Sequence, residues 1–495
     1  MKLETIALST SARLVQNARR AVDITGITCD SRNVRLGDLF AALPGTKANG
    51  AEFAKQAAQR GAAAILCERE EPLTELPQLV CTDARLALAK AARAFYGHAD
   101  LRMRLGAVTG TNGKSTTAYL VRHILKACSR KCGMLGTIEY DLGSEVLEAP
   151  LTTPESLDLH RFLRTMADAG CDSAVMETSS HSLCQQRVAG IHFDAAVFTN
   201  LTQDHLDFHR TMDEYRDAKA ILFRELLPDA NAILNLDDPT ADYYARCTQA
   251  RVLGFTVRGK TGAVLSASIK QMTIQGTSFD LSSPWGEREV MLKLAGVHNV
   301  QNALGALAAA MSMGAEFDQS ISALESFAGV PGRLESVELP RESSGARKQN
   351  FRVFVDYAHT EDALVNVMKA LRELRPSRLI AVFGCGGDRD RTKRPKMGRA
   401  VEEMADLGVI TSDNPRTEDP HAIIGDICAG LRKQSKFIVE PDRARAIVLA
   451  IREARAGDVV LIAGKGHETY QIFGKEKRHF SDVEEAAKAL RQRFE

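Results

Sequence analysis

The sequence predicts an α/β protein of about three domains with mostly parallel sheets. Short apolar runs of strand length alternate with longer segments of helical spacing, as βαβ units require. The 495 residues correspond to about three domains at roughly 100–200 residues each. Segments rich in glycine, hydroxyl and charged groups follow the apolar runs directly. Ligands of open α/β sheets bind at the carboxyl ends of strands, so these segments are the candidate sites.

Composition and charge restrict the class of protein. Hydrophobic residues make up 44% of the chain, and 64 Lys and Arg balance 63 Asp and Glu. This balance argues against a nucleic acid or an anionic membrane as the main partner. The N-terminus has no apolar signal core, and no run approaches the roughly 20 apolar residues of a membrane span. The ten cysteines are scattered without a CxxC pair, which is typical of reduced thiols and predicts a cytoplasmic protein.

The first hundred residues predict a small α/β unit. Residues 50–60 and 83–96 have helical character, and residues 61–67 form a short apolar run that predicts a buried strand. Gly97 and His98 then end the second helix.

A second unit begins with a predicted strand at residues 105–108. Further apolar strands are expected within it, and an alanine-rich helix is expected at residues 296–314. The turn-forming segment at residues 329–332 predicts a hinge that ends the unit. The other strands predicted in this unit are residues 173–176, 195–198 and 232–235.

A third α/β unit with a mostly parallel sheet is predicted after the hinge. Helical segments, for example at residues 362–374 and 443–454, lie between apolar strands. The strands predicted here are residues 351–355, 379–383, 407–411, 437–439 and 459–463.

The strongest local signal is the segment GTNGKST at residues 110–116, directly after a predicted strand. A glycine-rich turn that leads into a helix N-terminus points backbone N–H groups at an anion. Lys114 can reach the outer phosphates of a nucleotide, and the hydroxyl of Ser115 can hold Mg²⁺. The strict pattern requires glycine at the position of Val108, so this is a variant P-loop. A capped helix start with a chance lysine is the alternative.

Four residues further along are candidate ligands of a cation or phosphate. Glu177 follows a predicted strand, where a carboxylate suits Mg²⁺, although capping of the next helix is the alternative. His205 and His209 are four residues apart, a spacing that also admits zinc. Because no third ligand is evident, we interpret His205 as a partner of Mg²⁺ or phosphate and His209 as structural. Lys219, taken alone, is interpreted as a surface lysine.

Four segments of the third unit also begin where strands stop. Asp356 and His359 are placed to contact a ligand, with turn capping as the alternative. The segment GCGGDRDR at residues 384–391 suits carboxylate or phosphate, with a solvated basic loop as the alternative. DNPR at residues 413–416 and GKGHE at residues 464–468 occupy equivalent positions.

The order of these motifs resembles the ATP-dependent Mur ligase family over nearly the whole chain. The matching segments are GTNGKST, METSSH, NLTQDHLDFH, the helix with Lys219, GVHNVQNA, PGRLE, VDYAHT, FGCGGDRD, DNPR and GKGHE. The resemblance implies a three-domain architecture. A UDP-muropeptide-binding domain would span residues 1–99, a P-loop ATPase domain residues 100–333, and a Rossmann-like amino-acid-binding domain residues 334–495.

The resemblance implies an ATP-dependent amide ligase of bacterial peptidoglycan precursor synthesis, working as a monomer with ATP and two Mg²⁺. DNPR marks the family members that add meso-diaminopimelate to the D-glutamyl γ-carboxylate of UDP-N-acetylmuramoyl-L-alanyl-D-glutamate through an acyl phosphate. Lysine-adding members usually lack its arginine. A lysine-adding ligase, a folylpolyglutamate synthetase and a catalytically silent muropeptide sensor are the competing interpretations.

Roles for individual residues also follow from the resemblance. Catalysis would fall to Lys114, Glu177, His205 and Lys219, with Lys219 carbamylated (N6-carboxylysine). The Mg²⁺ ligands would be Ser115, Glu177, His205 and the modified Lys219. The ATP-binding residues would be Gly110, Thr111, Asn112, Gly113, Lys114, Ser115, Thr116, Asn299, Asn302, Arg333 and Asp356. The UDP-muropeptide would contact Ser31, Lys47, Thr152, Thr153, Ser179, Gln185 and Arg187. Diaminopimelate would contact Arg389, Asp413, Asn414, Pro415, Arg416, Gly464 and Glu468.

Overall fold

The computed structural model describes residues 1–15, 22–45, 49–72, 74–273, 276–339 and 349–494. The chain divides into two compact units. The first comprises Met1–Ile269, Phe279–Val290 and Val297–Phe327, and the second comprises Lys270–Ser278, Met291–Gly296 and Ala328–Glu495. The first unit holds residues 1–99 and most, but not all, of the segment predicted as the central domain, so the boundaries at residues 99 and 333 stay predictions.

The first unit begins with a five-stranded sheet in the order β1-β5-β4-β3-β2, parallel except for β1. The predicted strand at residues 61–67 is β4, and the predicted helix at residues 83–96 is α3, which Asp83 caps through two backbone N–H groups. The elements are α1 (Leu3–Thr10), β1 (Arg13–Val15), β2 (Gly26–Thr28), β3 (Asp38–Ala41), α2 (Ala54–Gln59), β4 (Ala64–Cys67), β5 (Gln78–Val80) and α3 (Ala84–Phe95).

An eleven-stranded sheet follows, in the order β16-β15-β14-β13-β12-β11-β6-β10-β7-β8-β9. Its strands are β6 (Arg104–Thr109), β7 (Cys132–Leu135), β8 (Glu139–Asp141), β9 (Val146–Glu148), β10 (Ser173–Glu177), β11 (Ala195–Phe198), β12 (Asn231–Asn235), β13 (Arg251–Thr256), β14 (Leu265–Thr273), β15 (Gly276–Ser283) and β16 (Gly286–Leu292). Its helices are α4 (Lys114–Ala127), α5 (Ser156–Asp168), α6 (Ser180–Cys184), α7 (Leu206–His209), α8 (Met212–Arg224), α9 (Ala241–Cys247), α10 (Val297–Ser312) and α11 (Phe317–Ser326).

The central strands β7, β10, β6, β11, β12 and β13 run parallel. Strands β10 and β11 are buried throughout, as expected where helices cover both faces of a parallel sheet. Helices α4 and α10 pack against each other and against these strands. The alanine-rich helix predicted at residues 296–314 is α10.

The second unit contains a six-stranded sheet in the order β17-β18-β22-β19-β20-β21, parallel except for β17. A separate hairpin pairs β23 with β24. The elements are β17 (Glu335–Val337), β18 (Arg352–Asp356), α12 (Glu361–Glu373), β19 (Leu379–Phe383), α13 (Lys393–Met404), β20 (Leu407–Ile410), α14 (Pro420–Cys428), β21 (Phe437–Val439), α15 (Arg443–Glu453), β22 (Val459–Ala463), β23 (Tyr470–Phe473), β24 (Glu476–His479) and α16 (Asp482–Phe494).

The predicted fold class is confirmed in both units. Every strand predicted after residue 100 is present within one or two residues of its predicted bounds. The sequence reasoning missed the other strands of the described residues. Among them, β14, β15 and β16 mix exposed and buried side chains instead of forming apolar runs, whereas β3 and β7 are short but buried throughout. The missed strands are β1, β2, β3, β5, β7, β8, β9, β13, β14, β15, β16, β17, β23 and β24. None of the helices in the described ranges has the length and apolar character needed to cross a membrane.

Candidate functional sites at the strand ends of two sheets

The segment between β6 and α4 forms a tight turn at the carboxyl edge of the central sheet. Gly110 and Gly113 have φ angles of 147° and 85°, which residues with a Cβ rarely adopt. A Cβ on Gly110 would overlap Thr199 Oγ1. Lys114 folds back over the turn, and its Nζ donates hydrogen bonds to Gly110 O at 3.0 Å and Thr111 O at 2.8 Å.

The end of the neighbouring strand β11 holds this turn in place. Backbone N–H groups of Thr111 and Asn112 donate to Asn200 O at 2.8 Å and Asn200 Oδ1 at 2.9 Å. Thr199 Oγ1 donates to Asn112 O at 2.6 Å. The turn is therefore preorganised by its neighbour, as an anion-binding loop requires.

The structure brings the predicted nucleotide residues of α10 to the same turn. Asn299 and Asn302 are buried, and Asn302 Nδ2 donates to Asn299 Oδ1 at 3.3 Å. Thr117 Oγ1 donates to Asn302 Oδ1 at 3.4 Å. A Cβ on Gly113 would overlap Asn302 Oδ1, so glycine is needed for this approach as well as for the turn.

Glu177 lies at the end of β10 and is buried against the start of α4. Its Oε2 accepts hydrogen bonds from Ser115 Oγ at 3.0 Å and Thr137 Oγ1 at 3.1 Å, and its Oε1 accepts one from Thr137 N at 2.9 Å. A Cβ on Gly136 would lie 2.6 Å from Glu177 Oε1. The carboxylate contacts Ser115 and Thr137 and does not cap the next helix, which Ser179 caps.

The donor set around Glu177 fits Mg²⁺. One carboxylate and two hydroxyls present only oxygen to this position, and hard divalent cations prefer oxygen ligands. Ser115, at the start of α4, and Glu177, at the end of β10, come together as the sequence predicted for a magnesium site. Thr116 follows in the first turn of α4.

The interpretation of Lys219 as a surface lysine is wrong, because the structure buries its side chain. Its side chain on α8 is only 1% exposed, and Nζ donates to Gly110 O at 3.0 Å. The ammonium also lies 4.4 Å from the centroid of the Tyr215 ring. Burial, and then the charge of Lys114, lower the pKa of Lys219 well below its usual value. The neutral amine, a nucleophile, is therefore favoured at this position.

His205 and His209 occupy different environments at α7. His205 is the half-exposed residue that precedes the helix, with Nε2 3.5 Å from Asp204 Oδ2 and its ring edge against His181 at 4.8 Å. His209 is buried and shares a 2.8 Å hydrogen bond with Ser180 Oγ. Within the described residues, no cluster of three or more His, Cys, Asp or Glu forms a metal site.

Several predicted muropeptide residues cluster around the end of β10. Thr153 Oγ1 donates to Glu177 O at 2.8 Å, and Ser179 N donates to Thr153 Oγ1 at 3.2 Å. Arg187 donates from Nη1 to Thr153 O at 2.8 Å and from Nη2 to Gln185 Oε1 at 2.6 Å.

The remaining muropeptide residues are placed separately. Thr152 Oγ1 lies 3.2 Å from Thr137 Oγ1, which links it to the Glu177 site. Ser31, next to the N-terminal sheet, is buried and donates to Gln56 Oε1 at 2.7 Å. Lys47 lies outside the described residues.

In the second unit, Asp356 and Arg333 come together at the end of β18. Asp356 Oδ2 accepts from Leu334 N at 2.7 Å, and its Oδ1 accepts from Ala358 N at 2.8 Å. Burial raises the pKa of the Asp356 carboxyl, and the nearby Arg333 guanidinium partly opposes this. Arg333 also lies over the Tyr357 ring at 5.0 Å.

The loops after β19, β20 and β22 meet in a polar cluster that contains most of the predicted amino-acid ligands. Gly387 N donates to Asn414 O at 2.9 Å, and Arg416 Nη1 donates to Gly387 O at 2.7 Å. Asn414 Nδ2 donates to Glu468 Oε2 at 3.0 Å. A Cβ on Gly387 would overlap the carbonyl of Pro415, so the first two loops approach at backbone distance.

Asp413 and Gly464 lie beside a buried ion pair next to this cluster. A Cβ on Gly464 would lie 2.7 Å from Asp413 Oδ2. Arg443 and Asp482 are both fully buried and bonded at 2.7 Å, and Arg443 also donates to Ser412 O and Ala463 O, the residues before Asp413 and Gly464.

The loop with Arg389 is anchored through its neighbours. Arg389 is exposed and donates to Asp388 O at 3.0 Å. The fully buried Arg394 bonds Glu418 and Asp426 at 2.8 and 2.9 Å, and Glu418 Oε1 also accepts from Asp388 N at 2.6 Å. The Arg394 guanidinium lowers the pKa of Glu418 to about 2.

Four residues that the sequence reasoning assigned no role belong to these sites. Thr137 bonds Glu177, Tyr215 faces Lys219, Arg394 anchors the Arg389 loop, and Lys465 bonds Asn414 and Glu468. Two of them lie near a sequence motif: Lys465 is within the GKGHE segment, and Arg394 follows the glycine loop at residues 384–391. Tyr215 lies one turn before Lys219 on α8, a local i, i+4 spacing, whereas Thr137 reaches Glu177 through the fold alone.

The fold and the first site define the class of protein. A glycine turn that leads into a helix, a lysine over the turn and a carboxylate with a hydroxyl on the next strand are the parts of a nucleotide phosphate site. The second unit adds a cluster of loops that carries both a guanidinium, Arg416, and a carboxylate, Glu468, which suits a zwitterionic substrate. Together they describe an ATP-dependent ligase.

Comparison with known proteins gives the family. Three family models match: Mur ligase family, catalytic domain, at residues 23–105; Mur ligase middle domain, at residues 108–310; and Mur ligase, glutamate ligase domain, at residues 341–466. The chain belongs to the Mur ligase family, as the motif order predicted.

Individual relatives over nearly the whole chain are also Mur ligases. The UDP-N-acetylmuramoyl-L-alanyl-D-glutamate–2,6-diaminopimelate ligase of Bacillus velezensis is 42% identical over 99% of both chains. A solved structure with the same protein name is 34% identical, with a TM-score of 0.71 and coverage of 97% of this chain and 96% of that chain. The MurF ligase of Thermotoga maritima, solved with ADP, has a TM-score of 0.59 at 21% identity over 95% of this chain and 99% of that chain, which shows the shared fold.

Proposed function

We propose that this chain is an ATP-dependent ligase that joins meso-diaminopimelate to the D-glutamyl γ-carboxylate of UDP-N-acetylmuramoyl-L-alanyl-D-glutamate. One observation carries the choice of amino acid: the loop with Asn414 and Arg416 bonds both Glu468, from Asn414 Nδ2, and Gly387 O, from Arg416 Nη1. The relatives named above carry this substrate pair in their names. One substrate is a nucleotide-linked precursor, and ATP is the energy source, so the proposed location is the bacterial cytoplasm.

The reaction needs activation because a carboxylate and an amine at neutral pH form a salt and not an amide. Transfer of the γ-phosphoryl group of ATP to the carboxylate gives an acyl phosphate. The neutral amine then attacks the acyl carbon, the tetrahedral intermediate expels phosphate, and the nitrogen loses a proton. The γ-phosphate and the carboxylate are both anionic, so the site must offset their repulsion.

The chain's own groups at the glycine turn supply that offset. The Lys114 ammonium folds over Gly110 and Thr111, where it places positive charge beside the outer phosphates. The backbone N–H groups at the start of α4 bind and orient the phosphate oxygens. Mg²⁺, when held by Ser115 and Glu177, would neutralise phosphate charge. Asn299, Asn302, Arg333 and Asp356 are assigned to the rest of the nucleotide.

Lys219 is proposed to act as a carbamate. The neutral amine adds to CO₂, forms an N–C bond and releases one proton, which converts a buried cation into an anion. Its lowered pKa supports this step because only the free base reacts. The carbamate and His205 would then hold a second Mg²⁺, while His209 keeps its bond to Ser180.

The specificity for diaminopimelate follows from Arg416. Diaminopimelate is lysine with one additional carboxylate, which the guanidinium can bind with two parallel hydrogen bonds. Lysine would leave this charged donor without its partner. Arg389, Asp413, Pro415 and Gly464 belong to the same cluster in the proposal. The exposed Arg389 guanidinium would add a positive charge for a substrate carboxylate, and the buried Asp413 carboxylate would add a negative charge for a substrate ammonium.

The muropeptide is assigned to Ser31, Thr152, Thr153, Ser179, Gln185 and Arg187, together with Lys47. The linkage of Thr152 to Thr137, and of Thr153 to the Glu177 backbone, supports this assignment. It would bring the muropeptide's γ-carboxylate to the magnesium position. Three domains with bounds at residues 99 and 333, acting in one chain as a monomer, complete the proposal.

One assay tests the proposal. Phosphate release is measured with ATP and Mg²⁺, with each amino acid and the muropeptide added singly and together. We expect release only when both the muropeptide and meso-diaminopimelate are present, and little release with lysine. Release with lysine would favour the lysine-adding alternative, release with a folate substrate and glutamate the folylpolyglutamate alternative, and ligand binding without release the silent sensor.

A further inference from the structure

We infer that Lys465 positions Asn414 and Glu468 for the distal end of the amino-acid substrate, the end that carries an ammonium and a carboxylate and does not react. The inference rests on the proposed function for the identity of that substrate. It assigns a role to a side chain that would itself not touch the substrate. Lys465 is therefore a positioning residue.

The environment of Lys465 is closed and paired. The side chain is fully buried, and Nζ donates to Glu468 Oε2 at 2.9 Å and to Asn414 Oδ1 at 3.2 Å. The centroid of the Tyr470 ring lies 5.5 Å from the same nitrogen. A buried ammonium is tolerated only where charge and hydrogen bonds compensate its lost hydration, so these contacts hold the two partners in one arrangement.

The first consequence concerns the orientation of the Asn414 amide. Oδ1 accepts from both Lys465 Nζ and Ile472 N, the latter at 3.0 Å. Both donors require the oxygen on that side, so the nitrogen must face Glu468, to which it donates at 3.0 Å. An amide nitrogen carries two hydrogens, and the second is left to donate to a substrate carboxylate.

The second consequence concerns the Glu468 carboxylate. Oε2 accepts the hydrogen bonds from Lys465 and Asn414, whereas Oε1 accepts none from the residues that the structure describes. One oxygen is used to fix the carboxylate plane, and the other is left to accept from a substrate ammonium. The pair therefore offers one donor and one acceptor side by side, which matches a carbon that bears both an ammonium and a carboxylate.

The position of Lys465 in the fold explains why one residue can do this. Lys465 and Glu468 follow β22, Asn414 follows β20, and β19 lies between these two strands. The hydrogen bond from Lys465 to Asn414 therefore spans the end of the intervening strand. Together with the direct bond from Asn414 Nδ2 to Glu468 Oε2, it holds the two recognition groups of separate loops in one arrangement.

The test compares Lys465→Met and Lys465→Gln with the wild type. Methionine keeps the length and removes the charge and the donors, whereas glutamine keeps a neutral donor. Lys488→Met is the matched control, because Lys488 is exposed on α16 and, among the described residues, bonds only Glu485. KM is measured separately for the amino acid, ATP and the muropeptide by phosphate release, and folding is checked by thermal unfolding.

We expect Lys465→Met to raise KM for diaminopimelate by about 10- to 100-fold, the effect of leaving buried polar groups without a partner. KM for ATP and for the muropeptide should change by less than about two-fold, since the bonds of Lys465 Nζ go to Asn414 and Glu468 and to none of the residues assigned to those two substrates. Lys465→Gln should fall between the wild type and Lys465→Met, and Lys488→Met should match the wild type.

An unchanged KM for the amino acid in folded Lys465→Met, or an equal rise in all three KM values, would overturn the inference and leave a purely structural cation. If Lys465→Met does not fold, the same criteria apply to Lys465→Gln. A wild-type chain that uses lysine overturns only the proposed substrate, and Lys465 is then judged on KM for lysine. A wild-type chain that releases no phosphate with any amino acid overturns both.

Discussion

Two buried lysines, one at each site, have opposite surroundings. Lys219 in the first unit donates to one backbone carbonyl and faces the Tyr215 ring, and the described residues place no carboxylate within ion-pair distance. Lys465 in the second unit bonds the Glu468 carboxylate and the Asn414 amide. Both are 1% exposed or less.

The difference shows what burial does to an amine. Without a carboxylate, desolvation and a neighbouring cation favour the neutral form, and the pKa of Lys219 falls. The amine becomes reactive toward CO₂. Lys465 instead has a carboxylate and an amide oxygen within hydrogen-bond distance, and these contacts make it a fixed point around which recognition groups are arranged. Burial therefore makes the Lys219 amine more reactive, whereas the contacts of Lys465 fix the positions of Asn414 and Glu468.

The largest expected effect comes from removing the Lys219 amine. Lys219→Ala should be nearly inactive, with kcat lowered by about 10³-fold or more, because a charged ligand of the proposed second Mg²⁺ is lost. Added bicarbonate should not rescue it, since no amine remains to be carbamylated. Initial rates of phosphate release with and without bicarbonate measure this. Turnover near the wild-type value would refute a catalytic carbamate.

Replacement of Arg416 should act on one substrate. Arg416→Ala or Arg416→Lys should lower kcat/KM for diaminopimelate by roughly 10²- to 10⁴-fold, because a bidentate charged contact is lost. ATP binding, measured by calorimetry or by KM, should change little. Equal kcat/KM for diaminopimelate before and after the change would contradict the assignment of Arg416.

The buried pair of Arg443 and Asp482 tests how much stability is lost when a buried carboxylate of the second unit loses its cation. Arg443→Met should destabilise the protein by about 3–5 kcal/mol, since it leaves an unpaired buried carboxylate. The double variant with Asp482→Leu should recover part of this loss. Denaturant unfolding of the three proteins measures the difference. A double variant less stable than Arg443→Met would show that the pair is not coupled in this way.

The pH dependence of stability should separate Lys219 from paired lysines. In CO₂-free buffer the folded protein has a Lys219 pKa below its usual value, so the unfolded chain binds more protons between the two values. The unfolding free energy from this group therefore rises with pH across that window. Lys219→Met should lack this rise and should be at least as stable at neutral pH. Identical pH profiles in both proteins would contradict the lowered pKa.

The smallest expected effect concerns Cys385, next to the glycine loop of the second unit. Its thiol is buried, and burial raises its pKa to about 12, so little thiolate forms at neutral pH. Iodoacetamide should label the exposed Cys184 before the buried Cys385. Peptide mass spectrometry gives the order of labelling. Early labelling of Cys385 would show that its loop opens.

Much of the fold was predictable because buried parallel strands leave a simple signal. The strand residues of β11, β19 and β22 are apolar throughout, and their bounds matched the prediction. The strands β14 to β16 were missed because alternating polar positions give no continuous apolar run. Site residues with a motif were found in the same way, since a glycine turn after a strand is a local pattern.

The sequence by itself determined the order of the motifs, the α/β class and the family, because these depend on residues close together in the chain. Only the tertiary structure decided the state of each lysine. Whether Lys219 is a surface cation or a buried amine depends on Gly110 and Tyr215, and the role of Lys465 depends on a loop 51 residues away. Burial and pairing control the charge of an amine, and both arise from contacts between distant segments.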